Sequence, residues 1–331
     1  MHSSFDYRPR RRLRNGHLMT VFAWAKPRSF KALPQPSERL FDVAPDTKVL
    51  AHCHWQERRA ERPVLLALHG LEGSSSAHYM RGIADKAFRA GFNVVLLNQR
   101  NCGGTEALAA GLYHSGLTHD ADYVIRELTE RDGIPHVVVA GYSLGGNLAL
   151  KLAGDYGDAP PPALRGVCAV SPVMELGDCV RALERRQNMA YQWNFVRGLK
   201  ARMRRKARCH PERFPLDPLR RIRTVRDFDE AYTAPHFGFR DAADYYYRAS
   251  AMRVIDRVKV PALIITAEDD PFVPIEPFTD PRVTRNSNLH VVITRHGGHC
   301  GFLTDSMNGD DGYWAEARIL EFVKRLTGAP R

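Results

Sequence analysis

The sequence has no apolar run approaching the roughly 20 residues that a membrane-spanning helix needs, which argues against a helical integral-membrane protein. It has no Cys-x-x-Cys pair and no Cys/His set at zinc-finger spacing, so no zinc module is indicated. The six cysteines (Cys53, Cys102, Cys168, Cys179, Cys209 and Cys300) are scattered through a chain too long to need disulfide staples. They read as free thiols of a protein in a reducing, cytoplasmic compartment. There is no internal repeat and no low-complexity tract, which excludes solenoid and fibrous architectures. Carboxylates are in short supply: 37 Asp and Glu face 48 Lys and Arg, for a net charge of +11. Such an excess suits nucleic acid, an anionic membrane surface or acidic substrates. Nucleic acid is the weakest of the three, because the charge lies on no recognisable binding motif and the aromatics form no evident stacking platform.

At 331 residues the chain is long for one domain and short for two large ones. Its beginning, with Arg10, Arg11, Arg12 and Arg14 ahead of the apolar run Leu18 to Ala25, mimics a signal peptide only weakly. The run is interrupted by Thr20 and ends at Lys26-Pro27 without a small-x-small cleavage site, so it reads as part of the mature protein. Residues 1–36 are taken as an irregular basic arm, and 38–55 as a β-hairpin around Ala44-Pro45-Asp46-Thr47.

From residue 63 buried strands alternate with amphipathic helices. Val64–Leu68, Asn93–Leu97, His136–Ala140, Gly166–Ser171, Ala262–Thr266 and Leu289–Ile293 read as strands. Helices are expected over Ala77–Ala90, Leu117–Arg131, Leu144–Tyr156 and Tyr313–Leu326. Repeated β-α-β units build a mostly parallel sheet with helices on both faces. Residues 173–250 break the rhythm and are rich in basic and aromatic residues, including Arg202, Arg204, Arg205 and Lys206. They read as a helical cap over the C-terminal edge of the sheet, where open α/β sheets bind ligands. The expected organisation is an arm (1–36), an α/β core (37–172 and 251–331) and a cap insertion (173–250).

The chemistry centres on Gly141-Tyr142-Ser143-Leu144-Gly145, a G-x-S-x-G between a buried strand and a helix. A nucleophile on so sharp a turn needs glycine neighbours, and the turn aims backbone amides and a helix N-terminus at developing oxyanion charge. A lone serine is a poor nucleophile, so an acid and a histidine should follow it in chain order. Asp270, in Asp270-Pro271-Phe272-Val273-Pro274 after a late strand, is the expected acid, with Asp269 as competitor. His299, in Arg295-His296-Gly297-Gly298-His299-Cys300-Gly301, is the expected base, with His296 the weaker candidate. The oxyanion donors are expected to be the amides of Leu144 and of Leu71, the latter in His69-Gly70-Leu71-Glu72-Gly73. His69 reads as a support for that loop.

With these parts in order, the sequence resembles the YheT-like branch of the α/β-hydrolase superfamily over nearly its whole length. Asn15-Gly16-His17-Leu18-Met19-Thr20 looks like that family's N-x-H-L-x-T. The stretch Asn98 to Thr105 resembles N-x-R-G-C-G-G-S with Asn101 in place of glycine. Tyr113-His114-Ser115-Gly116, Asp120, Tyr246 to Ser250 and the loops around Asp270 and His299 match further signatures. The resemblance implies an α/β-hydrolase fold with a cap and a triad of Ser143, Asp270 and His299. It also implies cleavage of carboxylic esters, without metal or organic cofactor, and esters of short to medium acyl chain are the expected substrates. Two alternatives accompany that expectation: a lipid- or phospholipid-directed esterase whose basic cap contacts an anionic membrane, and a non-catalytic hydrolase scaffold. The same machinery serves thioesters, lactones and amides.

Overall fold

The computed structural model describes residues 7–31, 33–305 and 311–328. The ends of the expected arm (1–6) and core (329–331), and residues 306–310, lie outside these described residues.

Eight strands form one sheet: β1 (Ser37–Ala44), β2 (Thr47–His54), β3 (Val64–Leu68), β4 (Asn93–Leu97), β5 (Val137–Tyr142), β6 (Leu164–Val170), β7 (Ala262–Ala267) and β8 (Leu289–Thr294). Their spatial order is β1-β2-β4-β3-β5-β6-β7-β8. The β1–β2 hairpin joins the rest antiparallel through β4, and every pairing from β4 to β8 is parallel. Strands β3, β4, β5 and β7 are buried on both faces throughout. That is why they appear as largely aliphatic runs, each buried Val, Leu or Ile stabilising the fold by about 1.5–3 kcal/mol.

Helices α1 (Gly16–Ala25), α2 (His78–Arg89), α3 (His119–Arg126) and α4 (Leu144–Tyr156) precede the break in the rhythm. Helix α4 matches the expected span. The predicted helix to Arg131 continues past α3 as a π-helical turn, Glu127–Arg131. Between β6 and β7 the chain is helical, led by α5 (Leu176–Leu183) and the 21-residue α6 (Met189–Cys209), with a later helix over Ala242–Ala249. A C-terminal helix, Trp314–Thr327, closes the chain against α2 and the sheet.

Two observations differ from the sequence reading. The N-terminal arm is not irregular throughout, because Asn15 caps α1 by accepting a hydrogen bond from the Leu18 amide. Nor are all the basic residues of the expected cap free to meet an anionic surface: Arg202 and Lys206 are buried. Lys206 donates to the carbonyls of Glu106 and Ala109. Arg202 pairs with Glu72 at 2.6 Å, so α6 is fastened to the loop after β3 by ions withdrawn from water. A second buried cluster, Arg28 with Glu316 and Asp311 and Lys86 with the same two carboxylates, ties the segment after α1 to α2 and the C-terminal helix.

Candidate active site

Strand β5 ends at Tyr142, and α4 begins at Leu144. Ser143 alone makes the turn, with φ 55° and ψ −117°. A β-carbon on Gly145 would overlap the carbonyl oxygen of Leu68 on β3, so the elbow closes only with glycine there. Asn147 fixes the start of α4. Its side-chain amide donates to the Ser115 carbonyl and hydroxyl and to the Ala249 carbonyl, and its oxygen accepts from the Ala251 amide. The Ser143 turn is thereby braced against the Ser115 loop and the end of the helix over Ala242–Ala249.

Backbone strain gathers here. Among the described residues seven non-glycine positions have positive φ, and Glu72, Ser143, Ser171, Cys300 and Phe302 belong to the loops at this site. Each such conformation costs about 1–3 kcal/mol and persists only where the surroundings over-determine it. Asn101, at φ 65°, is a sixth. Asparagine tolerates this region better than most residues, which accounts for its standing where the resembling family has glycine.

The loop after β7 carries two adjacent carboxylates that face different partners. The Oδ2 of Asp270 lies 2.8 Å from Nδ1 of His299, and its Oδ1 accepts from the amides of Phe272 and Val273 at 3.1 and 3.0 Å. Asp270 has no exposed side-chain surface. Asp269 instead accepts from the Gly298 amide at 2.8 Å and faces Nδ1 of His296 at 3.3 Å. Burial alone would lower the proton affinity of His299, but the carboxylate of Asp270 overrides it and raises the pKa above that of an ordinary histidine.

The loop carrying His299 is moored to the nucleophile elbow. The amide of Ser143 donates to the Val170 carbonyl at 2.9 Å, and Sγ of Cys300 approaches that same oxygen at 3.7 Å. The amide of Cys300 donates to the Ser171 hydroxyl at 3.0 Å. From the other side Thr20 of α1 accepts from the His299 amide at 2.8 Å while donating to the Gly16 carbonyl. The end of β6 therefore holds the serine turn and the histidine loop side by side.

The loop after β3 lies opposite. His69 is fully buried, with its pKa pushed down to about 4 by desolvation. Its Nε2 accepts from the Gln99 amide at 3.1 Å, which leaves Nδ1 to donate to the Gly70 carbonyl at 2.8 Å. It is a neutral brace for the loop. Gly70 donates to the Tyr79 hydroxyl, and Glu72 to the Tyr113 hydroxyl. The amide between them, on Leu71, and the first amide of α4, on Leu144, engage no acceptor among the described residues. Each is left to donate to another acceptor.

Some contributors were not assigned roles from sequence. Arg202 lies over the Tyr113 ring at 4.8 Å and binds Glu72, so α6 holds the loop of Leu71. An aromatic series runs from His17 to Tyr191 (5.7 Å), Tyr191 to Phe272 (5.3 Å) and Phe272 to His299 (4.1 Å). It joins α1, α6, the acid loop and the histidine loop. Asn15, His17 and Thr20 of the N-terminal motif thus act as helix cap, bridge to α6 and anchor of the His299 amide. Among the described residues no group of His, Cys, Asp and Glu is arranged to hold a metal ion.

The family described as alpha/beta hydrolase fold matches residues 63–306. A protein of Escherichia coli (strain K12) named "Putative esterase YheT" is 34% identical over 327 residues, covering 97% of this chain and 94% of its own. The chain belongs to the α/β-hydrolase family, in its YheT-like branch. This α/β-hydrolase is also 29% identical to the mouse protein named Phospholipase ABHD3, matching 73% of this chain but 59% of that one. With a Saccharomyces cerevisiae protein named Medium-chain fatty acid ethyl ester synthase/esterase 2 it shares 28% identity, over 86% of this chain and 67% of the other. Among solved structures the Pyrococcus furiosus esterase Pf2001 superposes with a TM-score of 0.58 at 15% identity. That superposition covers 91% of this chain and 96% of the archaeal one, a likeness of fold. The α/β-hydrolase assignment carries with it the broad class of esterase and hydrolase.

Proposed function

We propose that this protein is a serine hydrolase that cleaves carboxylic esters through an acyl-enzyme on Ser143. His299 takes the proton of the Ser143 hydroxyl on Nε2 as Oγ bonds to the carbonyl carbon. The tetrahedral oxyanion rests on the amides of Leu71 and Leu144. As the intermediate collapses, the ester C–O bond breaks and the alcohol leaves with the proton from His299. Water then attacks the acyl-enzyme, gives its proton to His299, and the acid departs as Ser143 regains its hydrogen. Asp270 fixes the tautomer of His299 and stabilises the imidazolium formed in each half-reaction. These steps use side chains and backbone amides of the chain itself.

The observation that carries this reading is the 2.8 Å pairing of Asp270 with His299, on a loop that shares the Val170 carbonyl with the Ser143 turn. We further propose that residues 173–250 act as a lid, whose Tyr191 and Phe195 pack over Phe272 beside His299. Esters of short to medium acyl chain are the substrates we propose, and the names of two relatives point the same way or toward lipid esters. The six free thiols fit a reducing cytoplasm.

The test is hydrolysis of p-nitrophenyl esters of graded chain length, with fluorophosphonate labelling of the purified protein. Ser143→Ala is expected to abolish labelling and to lower kcat by about three orders of magnitude or more. Turnover by Ser143→Ala near that of the unmodified protein would refute the assignment.

A further inference from the structure

Ten large apolar residues are exposed among those described, and four of them lie on the ten residues of α1: Leu18 (58% exposed), Val21, Phe22 and Trp24 (73% exposed). Two more, Met189 and Trp193, sit at the start of α6, the helix that His17 reaches through Tyr191. Isolated exposed apolar residues need no explanation, but a helix that keeps its bulkiest ones in water does. Conformation is not the reason, because the other side of α1 is well seated. Gly16, Met19 and Ala23 are buried, and a β-carbon on Gly16 would collide with the Asp269 carbonyl.

Along the sequence the charge of this segment is of one sign, although Arg10 also lies 3.9 Å from the carboxylate of Asp305. Between Tyr7 and Ser37 the sequence has no Asp or Glu and eight Lys and Arg. Arg10, Arg11, Arg12 and Arg14 are exposed on the approach to α1, and Arg10 lies 5.5 Å from the centre of the Phe22 ring. An outward face of Leu, Val, Phe and Trp flanked by arginine is what an interfacial helix presents to anionic lipid, the rings and aliphatic chains entering the acyl boundary and the guanidinium groups meeting phosphates.

We propose that α1 docks the protein on an anionic lipid surface through Leu18, Val21, Phe22 and Trp24, with Arg10, Arg11, Arg12 and Arg14 on the headgroups. This differs from a docking site on the basic insertion, where Arg202 and Lys206 are buried and bonded inward. The opposite side of α1 carries Thr20, which holds the His299 amide. A lipid surface under α1 would therefore lie about one helix diameter, roughly 10 Å, from the histidine loop, near enough to supply esters to it. Only that last step rests on the proposed esterase reading; docking itself does not.

The experiment uses full-length Ser143→Ala protein, so that lipid is not consumed, cosedimented with vesicles of phosphatidylcholine alone or mixed equally with phosphatidylglycerol. Binding to the mixed vesicles is expected to exceed binding to phosphatidylcholine by about tenfold or more and to fall at about 1 M salt. In that background Trp24→Gln, and separately Leu18→Gln with Val21→Gln, should weaken binding about tenfold. Replacing the exposed Arg204, Arg205 and Arg208 with Gln should not. With Ser143 intact, Trp24→Gln should hydrolyse p-nitrophenyl acetate at the unmodified rate. The proposal is overturned if mixed vesicles do not bind, if the α6 arginines control binding instead, or if Trp24→Gln chiefly dissociates a dimer in sedimentation. Loss of soluble-ester turnover in Trp24→Gln would also overturn it, since α1 would then be only a support for the histidine loop. Vesicle binding as described, in a protein that hydrolyses no ester, would uphold the docking and defeat the esterase reading.

Discussion

The adjacent carboxylates Asp269 and Asp270 show how narrowly chemistry is apportioned at single positions. Sequence spacing favours Asp270 but cannot separate two neighbours on one turn, because which way each side chain points depends on loops 27 to 29 residues further on. In the fold each has its own imidazole. If Asp270 serves His299, Asp270→Asn should cost about three to four orders of magnitude in kcat/KM, chiefly through the wrong tautomer. His296→Ala should cost less than about threefold, as at most sites away from core and chemistry. The sign of the pH dependence follows from the raised pKa of His299. The base must be neutral to accept a proton, so kcat/KM should keep rising as pH climbs beyond about 6.5, the ordinary histidine value. In Asp270→Asn the residual activity should lose its acid limb at lower pH, because the group that raised the pKa is gone. A pH–rate profile of both proteins checks this; an unmoved limb would separate Asp270 from His299.

At the scale of elements, most of the scaffold was legible and two parts were not. Strands such as Val64–Leu68 declare themselves because burial on both faces leaves no room for a polar residue, and α4 because glycines end the turn before it. Helix α1 was hidden because its solvent side is as apolar as its core side, which erases the amphipathic period that marks a surface helix. Arg202 was read with its basic neighbours because its partner, Glu72, lies 130 residues away. Removing one member of such a buried pair leaves the other uncompensated, so Arg202→Met should lower stability by about 3 kcal/mol and slow hydrolysis by loosening the Leu71 loop. Combining it with Glu72→Met should restore much of the stability, as thermal denaturation of the single and double variants would reveal. Thr20→Val removes the acceptor of the His299 amide and should reduce kcat more than it alters KM, by about tenfold for an unpaired buried donor. Thr20→Ser, which keeps the hydroxyl, should recover the rate. Equal loss in both variants would mean that Thr20 serves only packing.

The molecule as a whole is organised by contacts between the beginning and end of the chain. The hairpin, the mostly parallel sheet and the alternation of layers were legible in periodicity, since each buried strand must find cover on both sides, whereas the spatial order of the strands was not. The closure of the N-terminal segment onto the last loops was not, because no local pattern encodes a partner nearly 300 residues distant. Deleting residues 1–26 should leave the circular dichroism of the sheet largely unchanged. It should nevertheless reduce ester hydrolysis by more than about a hundredfold, as small misplacements of reacting groups do, although none of the proposed catalytic residues is removed.

The hydrogen bond from the amide of residue 299 to the hydroxyl of residue 20 spans 279 positions. During synthesis residue 20 leaves the ribosome long before residue 299 exists, and α1 must wait with both faces uncovered. Competence for catalysis should therefore appear only after release of the complete polypeptide. A chaperone that shields the emerging N-terminus would be expected to raise the yield of active protein more than it raises the yield of soluble protein.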